Sequence, residues 1–490
     1  MNQGCSKAKI FRLSGVAFLL GIVLSYFFSF KILPLIFIGG IFYFLFIKVK
    51  FKDISFVILI IFIILSFIFG FLRYKVILNS LSAKLDLSSF SDIFFKVISS
   101  VPLEQSQKLI IQPVIKFNQF KGGVIYLDLK PDYFKGDYLK IKQGEIVNLN
   151  KSFYSDGLLV YFEIKKPKVE KIVVKSIFNQ TFLLREKIKS IFNYYLKEPQ
   201  ASLLNSLVFG RKGNLNKEVE EKINLAGLSH LVAVSGLHLV LLIKIISQFL
   251  KFFPWTKIIK FLILILFLLF FSLLAGFTSS VSRALIMALL VIFAELNFRI
   301  YEPFNSFLFT LCLMTYLNPL SLFYDFGFQL SFLATFGIIC FNPLFREQKL
   351  FKDFKLPNFL ESFEDTFLAS LSSLILVYPW IIFKTGQIIS LTMLSNLLVV
   401  PIISYVLIFA LFLIIFHFSY LTSLVLGWFL NLILSYILKV VDFISSLKIF
   451  VFWINPKIRP IFLLSYLFLF IFYIKLKKGI KGIKGSLLSK

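Results

Sequence analysis

The sequence predicts a polytopic α-helical membrane protein of about 12 transmembrane helices, with a small β domain outside the membrane. Hydrophobic residues make up 58% of the 490 residues, 65 residues are phenylalanine, and the mean hydropathy is +0.87. Many apolar runs reach the roughly 18 residues that a bilayer span requires. These values exclude an ordinary soluble protein.

The charge is strongly basic, with 53 Lys and Arg against 25 Asp and Glu and a formal net charge of +28. Part of this excess is expected in cytoplasmic loops, and the rest is available to a polyanion or to anionic lipid. The cysteines Cys5, Cys312 and Cys340 are too far apart for a disulfide framework or a metal-binding spacing. We therefore expect no metal and no cofactor.

Residues 1–75 are predicted to hold transmembrane helices at about 11–29, 32–47 and 54–72. The loop after the second helix carries Lys48, Lys50 and Lys52. The positive-inside rule therefore places the N-terminus in the cytoplasm and the next segment, residues 76–176, outside.

Residues 101–175 alternate apolar and polar side chains, which predicts a small antiparallel barrel or sandwich. The predicted strands are KGGVIYLDLK, DYLKIKQGEIVNL, GLLVYFEIKKP and KVEKIVVKS. The segment holds 13 Lys against 8 Asp and Glu, with aromatic residues interleaved. Such a surface suits single-stranded nucleic acid. The alternative is that the aromatic residues fill a small β core and the lysines keep it soluble.

Residues 177–225 are predicted to form amphipathic helices at the membrane surface. Apolar residues recur at helical spacing on one face, and Arg185, Lys187 and Lys189 lie on another.

Residues 226–476 are predicted to form the main membrane domain, and residues 477–490 a basic cytoplasmic tail. The expected spans are 228–250, 258–275, 281–298, 304–317, 326–343, 366–383, 388–416, 420–440 and 458–475. These nine spans start outside the cytoplasm and end inside it, in agreement with a basic cytoplasmic tail. A break at Pro401 would place the tail outside, so 388–416 is interpreted as one kinked helix.

Polar, Gly and Pro residues interrupt the apolar sequence in four stretches at predicted external ends of spans. They are AGLSHLVAVSGLH at 226–238, AGFTSSVSR at 275–283, NPLSLFYDFGFQLSF at 318–332 and KTGQIISLTMLSN at 384–396. Non-helical backbone at membrane depth is tolerated only where it is buried in protein or lines a water-filled cavity. The four stretches therefore predict a shared vestibule.

His230, Ser235 and His238 of the first stretch fall within roughly 140° on a regular helix and are able to face one cavity. A shared metal ion is disfavoured, because about 12 Å of helix separates the two histidines. A hydrogen bond between Ser235 and His238 leaves serine hydrolysis open. The rhomboid-type proteases, however, have glycine two residues before the serine, where this chain has Ala233, and their histidine lies on another helix.

The second stretch combines helix-capping hydroxyl groups with a cation, Arg283. Its hydroxyl residues are Thr278, Ser279, Ser280 and Ser282. Free backbone N–H groups, hydroxyls and a guanidinium make an anion site, with phosphate as a candidate ligand. The alternative is an ordinary helix cap with an arginine at headgroup level.

The third and fourth stretches carry isolated polar residues. Asp325, Gln329 and Ser331 surround Gly327, and Asp325 is predicted to pair with Arg283 as a structural contact. Asn396, before Pro401, predicts a helix interruption or a polar contact between helices.

The four stretches resemble those of ComEC-type competence proteins, the inner-membrane channels that pass single-stranded DNA into bacteria during natural transformation. The matching strings are GLSHLVAVSGLHLVLL at 227–242, LAGFTSSVSRALIMAL at 274–289, NPLSLFYDFGFQLSFLATFGI at 318–338 and LSNLLVVPII at 394–403. The resemblance implies a bacterial inner-membrane channel, not an enzyme, with both termini cytoplasmic and an external OB-like β-barrel domain.

The resemblance also implies partners. Longer family members carry a metallo-β-lactamase-like domain, whose HxHxDH run is absent here, so a short form without that domain is expected. Single-stranded DNA, membrane lipids, a separate nuclease, and a cytoplasmic ATPase or DNA-binding proteins are the expected partners. A homo-oligomer is left open.

The residues expected to line the DNA path come from all four stretches. They are His230, Ser235, Gly236, His238, Ser279, Ser282, Arg283, Asp325, Gln329, Ser331 and Asn396. Two alternatives stay open, namely an intramembrane serine hydrolase that uses Ser235 and His238, and a transporter of a small anion or lipid-linked glycan.

Overall fold

The computed structural model describes residues 7–27, 54–82, 94–102, 107–113, 121–127, 138–155, 158–172, 177–210, 215–232, 234–347, 361–447 and 451–488. The predicted span at 32–47 lies outside these residues. The chain divides into two compact units. The first comprises Met1–Phe182 and Glu302–Phe326, and the second comprises Leu183–Tyr301 and Gly327–Lys490.

The described helices, in chain order, are α1 (Lys7–Phe27), α2 (Ile54–Ser82), α3 (Ile177–Tyr195), α4 (Gln200–Phe209), α5 (Lys217–Leu225), α6 (Ser229–Val232), α7 (Gly236–Leu250), α8 (Lys257–Ala275), α9 (Ser279–Leu296), α10 (Pro303–Leu317), α11 (Leu320–Tyr324), α12 (Phe326–Arg346), α13 (Glu361–Thr385), α14 (Thr392–Phe416), α15 (Tyr420–Ser446) and α16 (Ser465–Leu488). A 3₁₀ helix, Arg459–Leu464, precedes α16.

The described strands are β1 (Phe94–Pro102), β2 (Gln107–Pro113), β3 (Lys121–Leu127), β4 (Tyr138–Ser155), β5 (Leu158–Ile172), β6 (Gln387–Ile389) and β7 (Val451–Trp453).

Seven helices among the described residues are long and apolar enough to cross a membrane, as judged by length and composition. They fall in α8, α9, α12, α13, α14, α15 and the run Arg459–Leu476. Shorter apolar helices lie at Phe11–Tyr26, Gly236–Leu250 and Pro303–Leu317. These helices indicate a polytopic membrane protein, and the total of about 12 spans stays a prediction.

The first unit is built on close packing of α1 against α2. A side chain at Gly21 would overlap the Phe67 carbonyl oxygen, and one at Gly70 would overlap the Phe18 carbonyl oxygen. Both helices therefore need glycine where their backbones touch. On α1, Arg12 donates to Asn305 Oδ1 of α10 at 2.8 Å and pairs with Glu302.

The β domain of this unit contains β1 to β5. Strand pairs form in the order β1, β2, β3, β5, β4 and return to β1, so each strand has two neighbours. β3 and β5 are parallel, and the other pairs are antiparallel. The described buried side chains are aliphatic, and Val97, Leu109, Ile111, Ile125 and Val160 are all 0% exposed.

Three features of this domain differ from the prediction. The prediction lacks β1 and β2, and it divides β5 into GLLVYFEIKKP and KVEKIVVKS. It also makes the domain antiparallel, whereas β3 and β5 pair in parallel. Tyr126 is 43% exposed and lies opposite Lys108 on β2, whose amine is 6.0 Å from the ring centroid. Of the interleaved aromatic residues, this one is on the surface.

The second unit is built around α4, which is buried from Ala201 to Phe209. Its Leu204 shares a core with Val406 of α14 and Leu434 of α15. A second core joins α7, α8 and α9 through Leu239, Leu268 and Val281. The prediction of an amphipathic surface helix is therefore wrong for α4, because polar residues such as Ser206 are buried with the apolar ones.

The predicted span 388–416 begins later, at Thr392, because Gln387–Ile389 pairs with Val451–Trp453 as a short antiparallel sheet. From Thr392 the helix runs through Pro401 to Phe416 without a break. The interpretation of this run as one helix is confirmed.

Gly21→Ala should destabilise the first unit, because the added methyl group overlaps backbone that cannot move without separating α1 from α2. We expect a loss of about 1–3 kcal/mol in the free energy of unfolding, as for overpacked cores. Denaturant unfolding in detergent measures it. Gly15→Ala is the matched control in the same helix, because its nearest contact is the movable Leu308 side chain at 3.1 Å. Equal losses for the two variants would contradict the role of the backbone contact.

Candidate functional site

The first polar stretch breaks a helix inside apolar sequence. The short helix α6 ends at Val232 and α7 begins at Gly236, after Ser235 in an extended conformation with φ −104° and ψ 169°. The prediction of one continuous span at 228–250 is therefore wrong. The physical reason is the N-cap preference of serine, whose side chain and extended backbone favour a helix start at this position.

His238 closes the first turn of α7. The backbone N–H of Ser235 donates to His238 Nδ1 at 3.1 Å, and the Ser235 hydroxyl lies 3.0 Å from the same nitrogen. Because Nδ1 accepts the amide hydrogen, the proton of the neutral ring is on Nε2. His238 is 0% exposed, and Nε2 has no hydrogen-bond partner among the described residues.

This geometry favours a helix cap over a catalytic pair. The Nδ1 lone pair that would activate Ser235 already accepts the Ser235 amide. A catalytic histidine is oriented by a third group on its other nitrogen, and the described residues provide none for Nε2. A metal ion is disfavoured by the same tautomer, and no group of three metal-ligating side chains occurs in the described part of the chain.

Arg283 of α9 lies against the start of α7. A side chain at Gly236 would come within 2.7 Å of Arg283 Nη2, so the absence of a side chain there admits the guanidinium. Arg283 Nε donates to Ser331 Oγ of α12 at 2.7 Å, and Nη1 lies 3.8 Å from Met287 Sδ. Three helices therefore meet at this guanidinium.

Contacts within the second unit connect all four polar stretches. Gly236 and Arg283 join the first to the second, and Arg283 and Ser331 join the second to the third. The fourth is joined to the first where Gly227, with φ +75°, packs against Thr392, whose Cβ would lie 2.8 Å from an added methyl group.

Two predicted residues of this unit have defined contacts of other kinds. Gln329 Oε1 accepts a hydrogen bond from Trp380 Nε1 at 2.9 Å. Asn396 is 5% exposed, and its Oδ1 has no partner within the described residues. Because α14 continues past Asn396, the predicted helix interruption there is wrong.

The remaining predicted residues lie at helix ends. His230 is exposed on α6, and Ser279 is the first residue of α9. The predicted capping differs, because Thr278 makes no side-chain cap bond and the Ser282 hydroxyl donates back to the Phe277 carbonyl at 3.3 Å. Asp325 follows α11 and belongs to the first unit, and its pairing with Arg283 stays a prediction.

Arg185 is a buried cation, although its spacing in the sequence predicts a place on a polar helix face. It is 7% exposed, donates to the Leu274 carbonyl near the end of α8, and lies 5.9 Å from the Phe209 ring centroid. A cation at a helix C-terminus is favourable because the last carbonyls lack partners within the helix. The charge pattern of Arg185, Lys187 and Lys189 gives no signal of this burial.

A cavity of about 500 Å³ lies elsewhere in the second unit, beside α5 and α15. Lys222 at its edge pairs with Glu218 at 2.9 Å and with Asp442 at 3.1 Å. The hydrogen bond from Lys222 lowers the pKa of Glu218, and the bonds to Glu218 and Asp442 raise the pKa of Lys222. These exposed ion pairs connect α5 to α15 and include no residue of the four polar stretches.

The fold and the linked polar stretches define a polytopic membrane protein with a polar cluster inside its helical unit. A family described as "Competence protein" matches residues 207–479, which is more than half of the chain and includes all four stretches. The chain therefore belongs to the competence protein family, and the ComEC-type resemblance is confirmed.

Three curated relatives match part of the chain. ComE operon protein 3 of Bacillus subtilis (strain 168) is 29% identical over 167 residues, which are 34% of this chain and 21% of that protein. A protein of Aquifex aeolicus (strain VF5) named "Uncharacterized protein" is 28% identical over 254 residues, or 50% of this chain and 57% of the relative.

The third relative, "Uncharacterized protein MG316 homolog" of Mycoplasma pneumoniae, is 29% identical over 220 residues, or 45% of this chain and 51% of the relative. The chain thus matches between 21% and 57% of the length of these proteins. No solved structure matches it.

Gln329→Leu should destabilise the second unit, because it leaves the Trp380 Nε1–H without this acceptor. Because Trp380 is half-buried, we expect the loss to lie near the lower end of the roughly 1–3 kcal/mol that a buried donor without a partner costs. A double-mutant cycle of Gln329→Leu with Trp380→Phe, measured by denaturant unfolding, isolates the pair. The loss should shrink when Trp380 is already phenylalanine. Additive losses would show that the hydrogen bond does not hold Gln329 in place.

Proposed function

We propose that this protein passes single-stranded DNA across the bacterial inner membrane into the cytoplasm during natural transformation. The observation that carries the proposal is the family match over 207–479, together with contacts that bring the four polar stretches of that region into one cluster. Polar groups at membrane depth are functional candidates because they are costly to bury.

In this proposal, the eleven residues named from the four stretches line the path. A conducting path must bind its substrate strongly enough to admit it and weakly enough to release it. The second unit fits this requirement at the junction of α7, α9 and α12, because Arg283 there donates to a neutral hydroxyl and lies against a thioether.

The β domain is proposed to be an external OB-like domain that receives the strand. The ring of pairings β1, β2, β3, β5, β4 supports a five-stranded barrel of this kind. The exposed Tyr126 beside Lys108 offers a ring for a base and a cation for a phosphate. Both termini are proposed to be cytoplasmic, as the positive-inside rule indicates.

The proposed partners are single-stranded DNA, membrane lipids, a separate nuclease, and a cytoplasmic ATPase or DNA-binding proteins. The protein itself is proposed to act without a cofactor and not as an enzyme. A strand that is drawn in must be separated from its complement and pulled or trapped, and these steps require other proteins in this account.

Deletion of the gene tests the function. We expect the deletion strain to bind labelled DNA at its surface but to admit none to the cytoplasm, with transformation lost. A wild-type copy should restore both. Labelled DNA reaching the cytoplasm of the deletion strain at the normal rate would contradict the proposal.

Substitution of Ser235 separates a channel from a serine hydrolase. Under the channel account Ser235 caps α7, so Ser235→Ala should cost about 1 kcal/mol of stability and Ser235→Asn, also a good N-cap, should recover most of it. DNA uptake should persist in both variants. If both variants lost all uptake while remaining folded, a nucleophilic role for the hydroxyl would replace the capping role.

A further inference from the structure

We propose that the first turn of α7, Arg283 and His238 form a binding site for one phosphodiester group. This inference rests on the proposed function and deepens it, because it assigns one contact on the path to one chemical group of the strand. The phosphodiester monoanion also occurs in phospholipid headgroups, so the chemistry is shared by two sources that the experiment must separate.

The start of α7 supplies backbone donors. The first N–H groups of a helix have no acceptor within it, and they carry the positive end of the helix dipole. In α7 the N–H of Ser235 already donates to His238 Nδ1 and that of His238 to the Ser235 carbonyl, so Gly236 and Leu237 supply the N–H groups for an anion. Ser235, Gly236 and Leu237 are half-buried, so an anion can reach this turn. Helix starts of this kind bind phosphate in other proteins.

Arg283 supplies the charge. Its guanidinium lies against Gly236, and its hydrogen bonds within this unit go to the neutral acceptors Ser331 and Met287. A cation beside a helix N-terminus opposes the dipole of that helix. An anion between the two would convert this repulsion into two favourable interactions, which explains why the guanidinium is held there.

His238 supplies an independent second observation. Its Nδ1 is tied to Ser235 at the helix start, which leaves Nε2–H as a fully buried donor without a partner among the described residues. Such a donor is costly unless an acceptor meets it. In this proposal the guanidinium and the backbone N–H groups meet the anionic oxygens of one phosphodiester. The Nε2–H of His238, on the side of the ring away from Ser235, supplies a further donor beside the turn.

The salt dependence of DNA binding tests the site. Fluorescence anisotropy of a short oligothymidylate with the full chain in phosphatidylcholine nanodiscs, over a series of salt concentrations, gives the slope of log K against log salt. Each phosphate contact on a single strand contributes about −0.7 to this slope. Arg283→Gln should therefore reduce the magnitude of the slope by about 0.7, which is one contact.

Arg346→Gln is the matched control, because it removes the same charge from the same unit. Arg346 is exposed at the end of α12 and pairs with Asp365. The slope should stay at the wild-type value in this variant. An unchanged slope in Arg283→Gln, or an equal reduction in both variants, would overturn the proposal.

Two further variants guard against simple misfolding. His238→Phe removes a neutral donor, so affinity should fall roughly 10-fold while the slope is unchanged.

Gly236→Ala keeps every polar group but places a methyl group 2.7 Å from Arg283 Nη2, so it should weaken binding as Arg283→Gln does. Thermal unfolding checks that each variant is folded. Wild-type binding by folded Gly236→Ala and His238→Phe would also overturn the site.

The lipid composition of the nanodiscs distinguishes the two sources of the phosphodiester, the DNA strand and a phospholipid headgroup. Adding phosphatidylglycerol to the nanodiscs should leave the Arg283-dependent part of the slope intact if the strand occupies the site. If phosphatidylglycerol abolishes this part, the occupant is lipid and the assignment to the strand is overturned.

Failure of the site and failure of the proposed function give different results. If the deletion strain takes up DNA normally while Arg283→Gln still lowers the slope, the proposed function fails and the phosphodiester site stands. If the deletion strain loses uptake while Arg283→Gln leaves the slope unchanged, the site fails and the proposed function stands.

Discussion

A helix that begins inside apolar sequence must satisfy its first N–H groups from within the protein, and this constraint organises the second unit. At membrane depth no bulk water is available to those groups. At the helix start before Gly236, the backbone N–H of Ser235 finds an acceptor within the first turn, namely His238 Nδ1. Arg283, which α9 and α12 hold against this helix start through Ser331, has only N–H donors and therefore accepts from none of the first N–H groups of α7. One helix start therefore fixes how three helices approach one another.

The arrangement at this helix start is poor for stability. A cation opposes the dipole of α7, and a buried imidazole N–H lacks a partner among the described residues. Around α4, Asn205 Oδ1 and Arg185 Nε are further buried polar atoms without a partner among the described residues, although α4 also packs against apolar side chains of α14 and α15. Local conflicts of this kind are expected at functional sites, because a stable fold alone would not require them.

Much of the fold follows from the sequence. Long apolar runs predicted α8, α9, α12 and α15, because a span must be apolar along its whole length. Alternation predicted the positions of β3 to β5 and missed β2, because its Leu109, Ile110 and Ile111 are all buried. Such a run lacks the period of a half-buried strand.

The site was predictable only in part. The choice of the four stretches depended on composition, and the structure brings members of all four into contact. Which residues touch was not predictable, because Arg283 and Ser331 are 48 positions apart and meet through packing. The burial of Arg185 depends on a carbonyl 89 positions away. The helix start at Gly236 was hidden by the apolar residues around it, although serine followed by glycine is a reasonable helix start.

The most direct test of this account is a cryo-electron microscopy structure of the protein in nanodiscs with a single-stranded oligonucleotide bound. The account predicts density for one phosphodiester group between the start of α7 and the Arg283 guanidinium, within hydrogen-bonding distance of His238 Nε2. A strand that passes elsewhere in the unit, with Arg283 still held by Ser331 and no anion at Gly236, would contradict it.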